Sequence, residues 1–169
     1  MDIVPLANRH RVALERYLQD FAQRGESELA NFCRRPEVSH EAFVLRLAAH
    51  EAGDVPEGRV PSCMRFLEAN GHLLGRYTLR FHLTPELEKK GGHIGYSVRP
   101  GARRQGHATR LLMHGMQTAR ERGIRRLLVT CDADNLGSQG VIRVCGGMIW
   151  DEYWHEPSER VVQRYWIGL

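Results

Sequence analysis

The feature that constrains this chain most is a strand, a glycine-bearing loop and a long amphipathic helix in immediate succession over residues 93–122. Ile94, Tyr96 and Val98 alternate with His93, Gly95 and Ser97 at period two, which predicts a strand over 93–98 closed by Pro100. Ala108, Leu111, Leu112, Gly115, Met116 and Ala119 then fall on one stripe at helical spacing, predicting a helix over 108–122 with Gly123 as its stop. Between them lies Arg103-Arg104-Gln105-Gly106-His107-Ala108. The first turn of a helix leaves several backbone N–H groups without intrahelical partners, and aligned peptide dipoles add partial positive charge there. Gly106 lets the backbone approach a ligand closely, Ala108 keeps the helix start slim, and the arginines add charge. Such a junction is a cradle for a pyrophosphate.

The cradle is neither the G-x-x-x-x-G-K-[ST] loop nor the G-x-G-x-x-G fingerprint, which disfavours ATP and NAD. Charge placement agrees with a compact anion. Residues 99–126 hold eight arginines against one acid, Glu121, so this stretch carries +7 of a formal net charge of +4 and the rest of the chain sums to −3. A long duplex would call for a wider basic surface, so no nucleic-acid partner is expected. The cysteines Cys33, Cys63, Cys131 and Cys145 are widely spaced and read as buried thiols, and the nine histidines show no H-E-x-x-H arrangement, so no metal is expected. The chain has no apolar run of membrane-spanning length and no apolar signal core among its first residues, which predicts a cytoplasmic protein without a membrane partner.

The 169 residues suit one domain over 1–169. Periodicity predicts a helix over 6–22 that stops at Gly25, and a second capped by Ser39 and ended by Gly53. Strands over 62–69 and 73–82 flank Asn70-Gly71, a strong hairpin signal. Thr84-Pro85-Glu86 starts a short helical turn. A buried strand follows over 127–131, a helix over 138–144, and strands near 148–154 and 161–167. The fold class is α/β, with helices flanking a central mixed sheet. Trp150, Tyr153, Trp154, Tyr165 and Trp166 in the last strands read as core or as a contact between two copies in a homodimer.

The run Arg103-x-x-Gly106-x-Ala108 after a strand ending Val98-x-Pro100 resembles the acyl-CoA signature of the GNAT superfamily of N-acyltransferases. The resemblance spans residues 62–154. Its second part is Asp132-Ala133-Asp134-Asn135-Leu136-Gly137-Ser138 followed by Gly146-Gly147, similar to the family's N-x-x-S and later glycine segments. The resemblance implies a sheet, antiparallel then parallel, splayed between its fourth and fifth strands, with residues 1–60 building the acceptor side. It implies acetyl-CoA as acyl donor, with its pantetheine arm against the backbone of Tyr96, Ser97 and Val98. The amides of Arg104, Gln105, Gly106, His107 and Ala108 would hold the pyrophosphate, Arg103 and Arg104 would lie near the phosphates, and Asn135 and Ser138 would contact the far end of the cofactor. The implied activity is acetyl transfer from acetyl-CoA to a primary amine of a small molecule or peptide. The runner-up is a non-catalytic acyl-CoA-binding or sensing module.

Amine attack on a thioester needs a neutral amine, a polarised carbonyl and a donor for the departing thiolate. Where the family often carries a carboxylate base, near the start of the fourth strand, this chain has His93, expected as base or part of a water relay. Seven residues after Asn135, where many members carry a tyrosine acid, stands Ile142. Ser138 is left as a hydrogen-bond donor to the leaving group. Asp132 and Asp134 are candidates for recognising the ammonium group, and Asp132 for relaying its proton. Glu26, Glu28, Glu37 and Glu41 are expected around the acceptor mouth.

Overall fold

The computed structural model describes residues 1–26 and 37–169, and the expectations for Cys33 and Glu28 lie outside them. The described elements are β1 (Asp2–Val4), α1 (Arg11–Gln23), α2 (His40–Ala52), β2 (Ser62–Ala69), β3 (His72–Arg80), α3 (Pro85–Lys89), β4 (Ile94–Val98), α4 (His107–Glu121), β5 (Arg126–Asp132), α5 (Leu136–Val144), β6 (Met148–His155) and β7 (Arg160–Gly168).

Local chemistry fixes most boundaries. The Ser39 hydroxyl accepts the Ala42 N–H at the start of α2, and Thr84 does the same for Leu87 in α3, with Pro85 in the first turn. Asn70 and Gly71 both take positive φ, 48° and 74°, the geometry of a two-residue hairpin turn joining β2 to β3. The first helix starts later than its apolar pattern suggests, because a 3-10 turn over Asn8–His10 precedes it.

The strands form two sheets, ordered β1-β2-β3-β4 and β5-β7-β6, with every ladder among the described residues antiparallel. The splay therefore falls between β4 and β5, as expected, but the expected parallel pairing is absent. A single joint replaces it: the His93 N–H donates to the Leu128 carbonyl at 2.8 Å, and the Leu128 N–H donates to His93 Nδ1 at 2.9 Å. Gly92, at φ +59°, makes this approach possible, since a Cβ there would lie 2.3 Å from the Leu128 carbonyl oxygen. Beyond the joint the strands diverge.

The first sheet is buried on both faces. Cys63, Leu67, Tyr77, Leu79, Ile94 and Val98 pack with Leu111, Leu112, Met116 and Ala119 of α4 and with the second sheet. On the opposite face Met64, Phe66 and Leu73 meet Leu14, Tyr17 and Phe21 of α1 and Phe43 of α2. Alternate residues of β2 and β3 thus feed two cores, which fixes register strongly. The closing aromatics divide. Tyr165 is fully buried, whereas Trp150 and Trp154 on the edge strand β6 are more than half exposed, which corrects the core reading for those two. On the outer face of the second sheet Arg126 stacks on Trp166 and Arg164 on Trp150.

Candidate active site

The splay points its open end at the loop after β4. There Arg104 takes φ 63°, and Gly106, at φ 78°, is the residue from which α4 starts, without a side-chain cap. The first bond of the helix runs from the Arg110 N–H to the Gly106 carbonyl at 3.1 Å. The main-chain N–H groups of Arg104, Gln105, Gly106, His107, Ala108 and Thr109 consequently have no acceptor among the described residues. Six donors at a helix N-terminus, beside a glycine whose Cβ position is open space, fit a pyrophosphate. A groove of about 720 Å³ runs from Gly106 along Thr109, Arg110, Met113 and His114 to the start of β1.

Side chains around this cradle do not all point where their numbers suggest. The Arg103 guanidinium is held by Glu26, at 2.8 and 2.5 Å, and by the Val98 carbonyl, so it ties the end of α1 to the loop. Arg99 likewise pairs with Asp20, Arg122 with Glu51, and Arg126 lies on Trp166. Arg110, at the fourth position of α4, donates to the Met1 carbonyl. Five of the eight arginines expected to supply charge are thus engaged within the fold, and Arg104 is the exposed guanidinium left beside the free amides.

Inside the splay, β4 presents Tyr96 toward α5. Its hydroxyl lies 2.9 Å from Ser138 Oγ, and burial raises its pKa well above the ordinary tyrosine value. Ser138 stands at the start of α5 because Asn135 caps that helix, its Oδ1 accepting the Ser138 N–H at 3.0 Å. Asn135 and Ser138 are thus held together, and Tyr96 joins them through its side chain. Cys131 is part of the same wall, its thiol pushed up to about 11 by burial. Ser97 faces the other way, its Oγ 3.1 Å from the Tyr17 hydroxyl of α1.

The residues expected to handle protons are differently placed. His93 is not an open base: Nδ1 accepts the Leu128 N–H, the ring lies against Trp166, and burial with the Arg80 charge lowers its pKa to about 4. Asp132 lies 3.2 Å from Lys90 Nζ and 3.6 Å from Arg160, and Asp134 3.1 Å from Arg160, so neither carboxylate is free of a cation. Of the acids expected around the acceptor mouth, Glu26 binds Arg103, and Glu37 and Glu41 are solvent-exposed. Among the described residues no cluster of His, Cys, Asp and Glu is arranged to hold a metal, and no helix is long and apolar enough to cross a membrane.

Comparison with known proteins decides the family. The model of the acetyltransferase (GNAT) family matches residues 17–146, more than three-quarters of the chain. The chain belongs to that family. No curated protein sequence matches it. Among solved structures it is similar to the ribosomal L7/L12 alpha-N-protein acetyltransferase RimL in complex with coenzyme A, with 16% identity, a TM-score of 0.71, and coverage of 99% of this chain and 93% of that one. It is also similar to yncA from Salmonella typhimurium, solved with its cofactor acetyl-CoA, at 13% identity, TM-score 0.67, and coverage of 99% and 93%. A ribosomal-protein-alanine N-acetyltransferase from Brucella melitensis gives 17% identity and TM-score 0.68 over the full length of both chains. At these identities the likeness is one of fold.

Within this GNAT acetyltransferase the residue in the usual tyrosine-acid position, Ile142, is fully buried in the core. The tyrosine hydroxyl that meets Ser138 comes from β4, 42 residues earlier in the chain.

Proposed function

We propose that the protein binds acetyl-CoA at the loop after β4 and transfers its acetyl group to the primary amine of a small molecule or peptide. The carrying observation is the set of six main-chain N–H groups from Arg104 to Thr109 without acceptors among the described residues, at the open end of the β4–β5 splay. These donors would hold the pyrophosphate, with the Arg104 guanidinium beside them and Arg103 acting as a brace that fixes the loop against α1. The edge of β4 along Tyr96, Ser97 and Val98 has no strand partner on the β5 side, and its backbone groups would pair with the pantetheine amides.

When bound, acetyl-CoA supplies an acetyl group activated as a thioester: an amide C–N bond forms, the C–S bond breaks, and one proton passes overall from nitrogen to sulfur. The Tyr96–Ser138 hydroxyl pair lines the splay and is the natural hydrogen-bond donor to a developing thiolate. With its pKa raised, Tyr96 stabilises charge by hydrogen bonding rather than by giving up its proton outright. His93 is a positioning residue that holds the two sheets together, and Asn135 sets Ser138. With His93 engaged and Asp132 paired, the amine loses its proton to water or solvent buffer.

The test is thiol release from acetyl-CoA across a panel of primary amines, with calorimetry of coenzyme A binding alongside. Amine-dependent thiol release supports transfer. Binding without release for any amine would favour a sensing module, and absence of binding to folded protein would remove the whole reading.

A further inference from the structure

A second cavity, of about 790 Å³, lies under α2 on the face of the first sheet opposite α4. Its apolar wall includes Phe43, Leu47, Met64 and Leu87, its charged groups are Arg46, Arg59, Arg80 and a single acid, Glu86, and His50 is its other titratable side chain. The Glu86 carboxylate is turned to Thr84 and to its own backbone N–H in the first turn of α3. None of the three arginines forms an ion pair among the described residues. Arg80 is the floor. Its Nη1 is fixed on the Gly91 and Gly92 carbonyls at 3.2 and 3.1 Å, which leaves Nε and Nη2 without an acceptor among the described residues. Arg59 and Arg46 stand exposed at the rim. Mutual repulsion is evident: burial first, then Arg76 and Arg59, lower the Arg80 pKa, and burial with Arg46 and Arg59 lowers that of His50.

This pocket adjoins the splay. Thr78 and Arg80 on its floor belong to β3, where Thr78 is paired directly with Gly95 of β4 and the Arg80 N–H donates to the His93 carbonyl at 2.7 Å. A Cβ at Gly95 would meet nothing within 4 Å, so the face of β4 beside Thr78 is open space at that position. Paired strands lie about 5 Å apart, so a molecule seated on Arg80 is one strand from the gap.

From this we infer that the pocket holds the acceptor by an anionic end, and that the acceptor is an amine carrying a carboxylate and a modest apolar body, an amino acid in chemical class. The inference rests on the transfer reading above. Arg80 presents two parallel donors, the geometry a carboxylate fills, Arg59 and Arg46 close over it, and Phe43, Leu47 and Met64 take the apolar part.

The experiment pairs leucine with leucinamide, phenylalanine with phenylalaninamide, and methionine with methioninamide as acceptors. Each amide keeps the amine and side chain and loses the carboxylate, and its less basic amine favours it chemically, so a preference for the acid reports recognition. The expected result is a kcat/KM about 10-fold or more higher for the acid in at least one pair. Arg59→Gln, at an exposed side chain without a salt bridge among the described residues, should lower that value about 10-fold for the acid, leave the amide unchanged and leave the KM for acetyl-CoA unchanged. Equal use of acid and amide, or an equal loss for both in Arg59→Gln, overturns the inference. Should no amine be acetylated, titration calorimetry of the three amino acids still decides. Heat that disappears in Arg59→Gln supports the pocket while the transfer reading fails, and no heat with wild-type protein that binds coenzyme A overturns the pocket alone.

Discussion

The cradle after β4 and the arginine pocket under α2 both offer positive potential to an anion, but they are made of different material. The cradle is backbone: six amides aimed by Gly106 and the start of α4, with Arg104 alone as a free guanidinium beside them. The pocket is side chain: Arg46, Arg59 and Arg80 come from α2, a loop and β3, and the backbone of those elements is engaged in its own structure. A backbone site is indifferent to most side chains and vulnerable to dihedral change. A side-chain site is the reverse. The sharpest break of this comparison is Gly106→Val. The Cβ would meet no neighbour, so the substitution acts through φ +78° alone, and the loop must leave that conformation and misaim its donors. Coenzyme A affinity should fall about 100-fold by calorimetry, equivalent to two lost charge-assisted hydrogen bonds, with the thermal midpoint little changed. Retained affinity would mean that the amides do not bind the phosphates.

Between the two regions lies the splay, lined by the Tyr96 hydroxyl against Ser138. Tyr96→Phe keeps the ring and removes the hydroxyl, so it tests a side-chain contribution in isolation. We expect kcat to drop about 10-fold to 100-fold while coenzyme A affinity stays within about twofold, measured by steady-state kinetics and calorimetry. An unchanged kcat would remove Tyr96 from the chemistry and leave the Ser138 hydroxyl as the donor.

What the sequence disclosed follows the same division. Local backbone rules are written locally: Asn70-Gly71, the Ser39 and Thr84 caps and Gly106 could each be read from a few adjacent letters, and each is in place. Side-chain pairings across the chain are not. The Arg103–Glu26 pair joins residues 77 apart, and the His93–Leu128 bond joins residues 35 apart. Strand β1 has no signature in the sequence because three residues carry no periodicity, and its strand character comes from pairing with Phe66, Leu67 and Glu68. Arg76-x-Thr78-x-Arg80 did carry a signal, since cations alternating along a strand that is buried on both faces mark a polar seam between cores. Reading it required knowing that α2 covers that face.

His93 mixes the two materials, an imidazole holding a backbone amide, and it separates structural from chemical effects. Its folded pKa, about 4, lies below the unfolded value, so between those values the unfolded state binds more protons. The stabilisation is full above about pH 6.5 and is lost as the pH falls toward 4, worth on the order of 2 kcal/mol after discounting for partial exposure. His93→Ala should flatten that acid limb in urea titrations and cost about 1–3 kcal/mol at neutral pH by leaving the Leu128 N–H unpaired. The rate profile should be simple as well. With no base titrating near 6.5, kcat/KM should rise with pH as the free amine fraction rises, in wild type and His93→Ala alike. A limb near 6.5 present only in the wild type would restore His93 as the base.

The smallest expected effects sharpen the comparison from the other side. If amides rather than side chains form the cradle, Gln105→Ala should change coenzyme A affinity by less than about twofold, because its N–H remains where it is. Arg104→Ala should cost more but still little, about threefold to tenfold, since an exposed guanidinium contributes a screened charge. Salt distinguishes the two. Raising ionic strength should weaken coenzyme A binding in the wild type and Gln105→Ala in parallel, and less steeply in Arg104→Ala, because the variant has already lost the screened part. Equal salt slopes in all three would show that Arg104 does not reach the phosphates, leaving the amides and the dipole of α4 as the whole of the site.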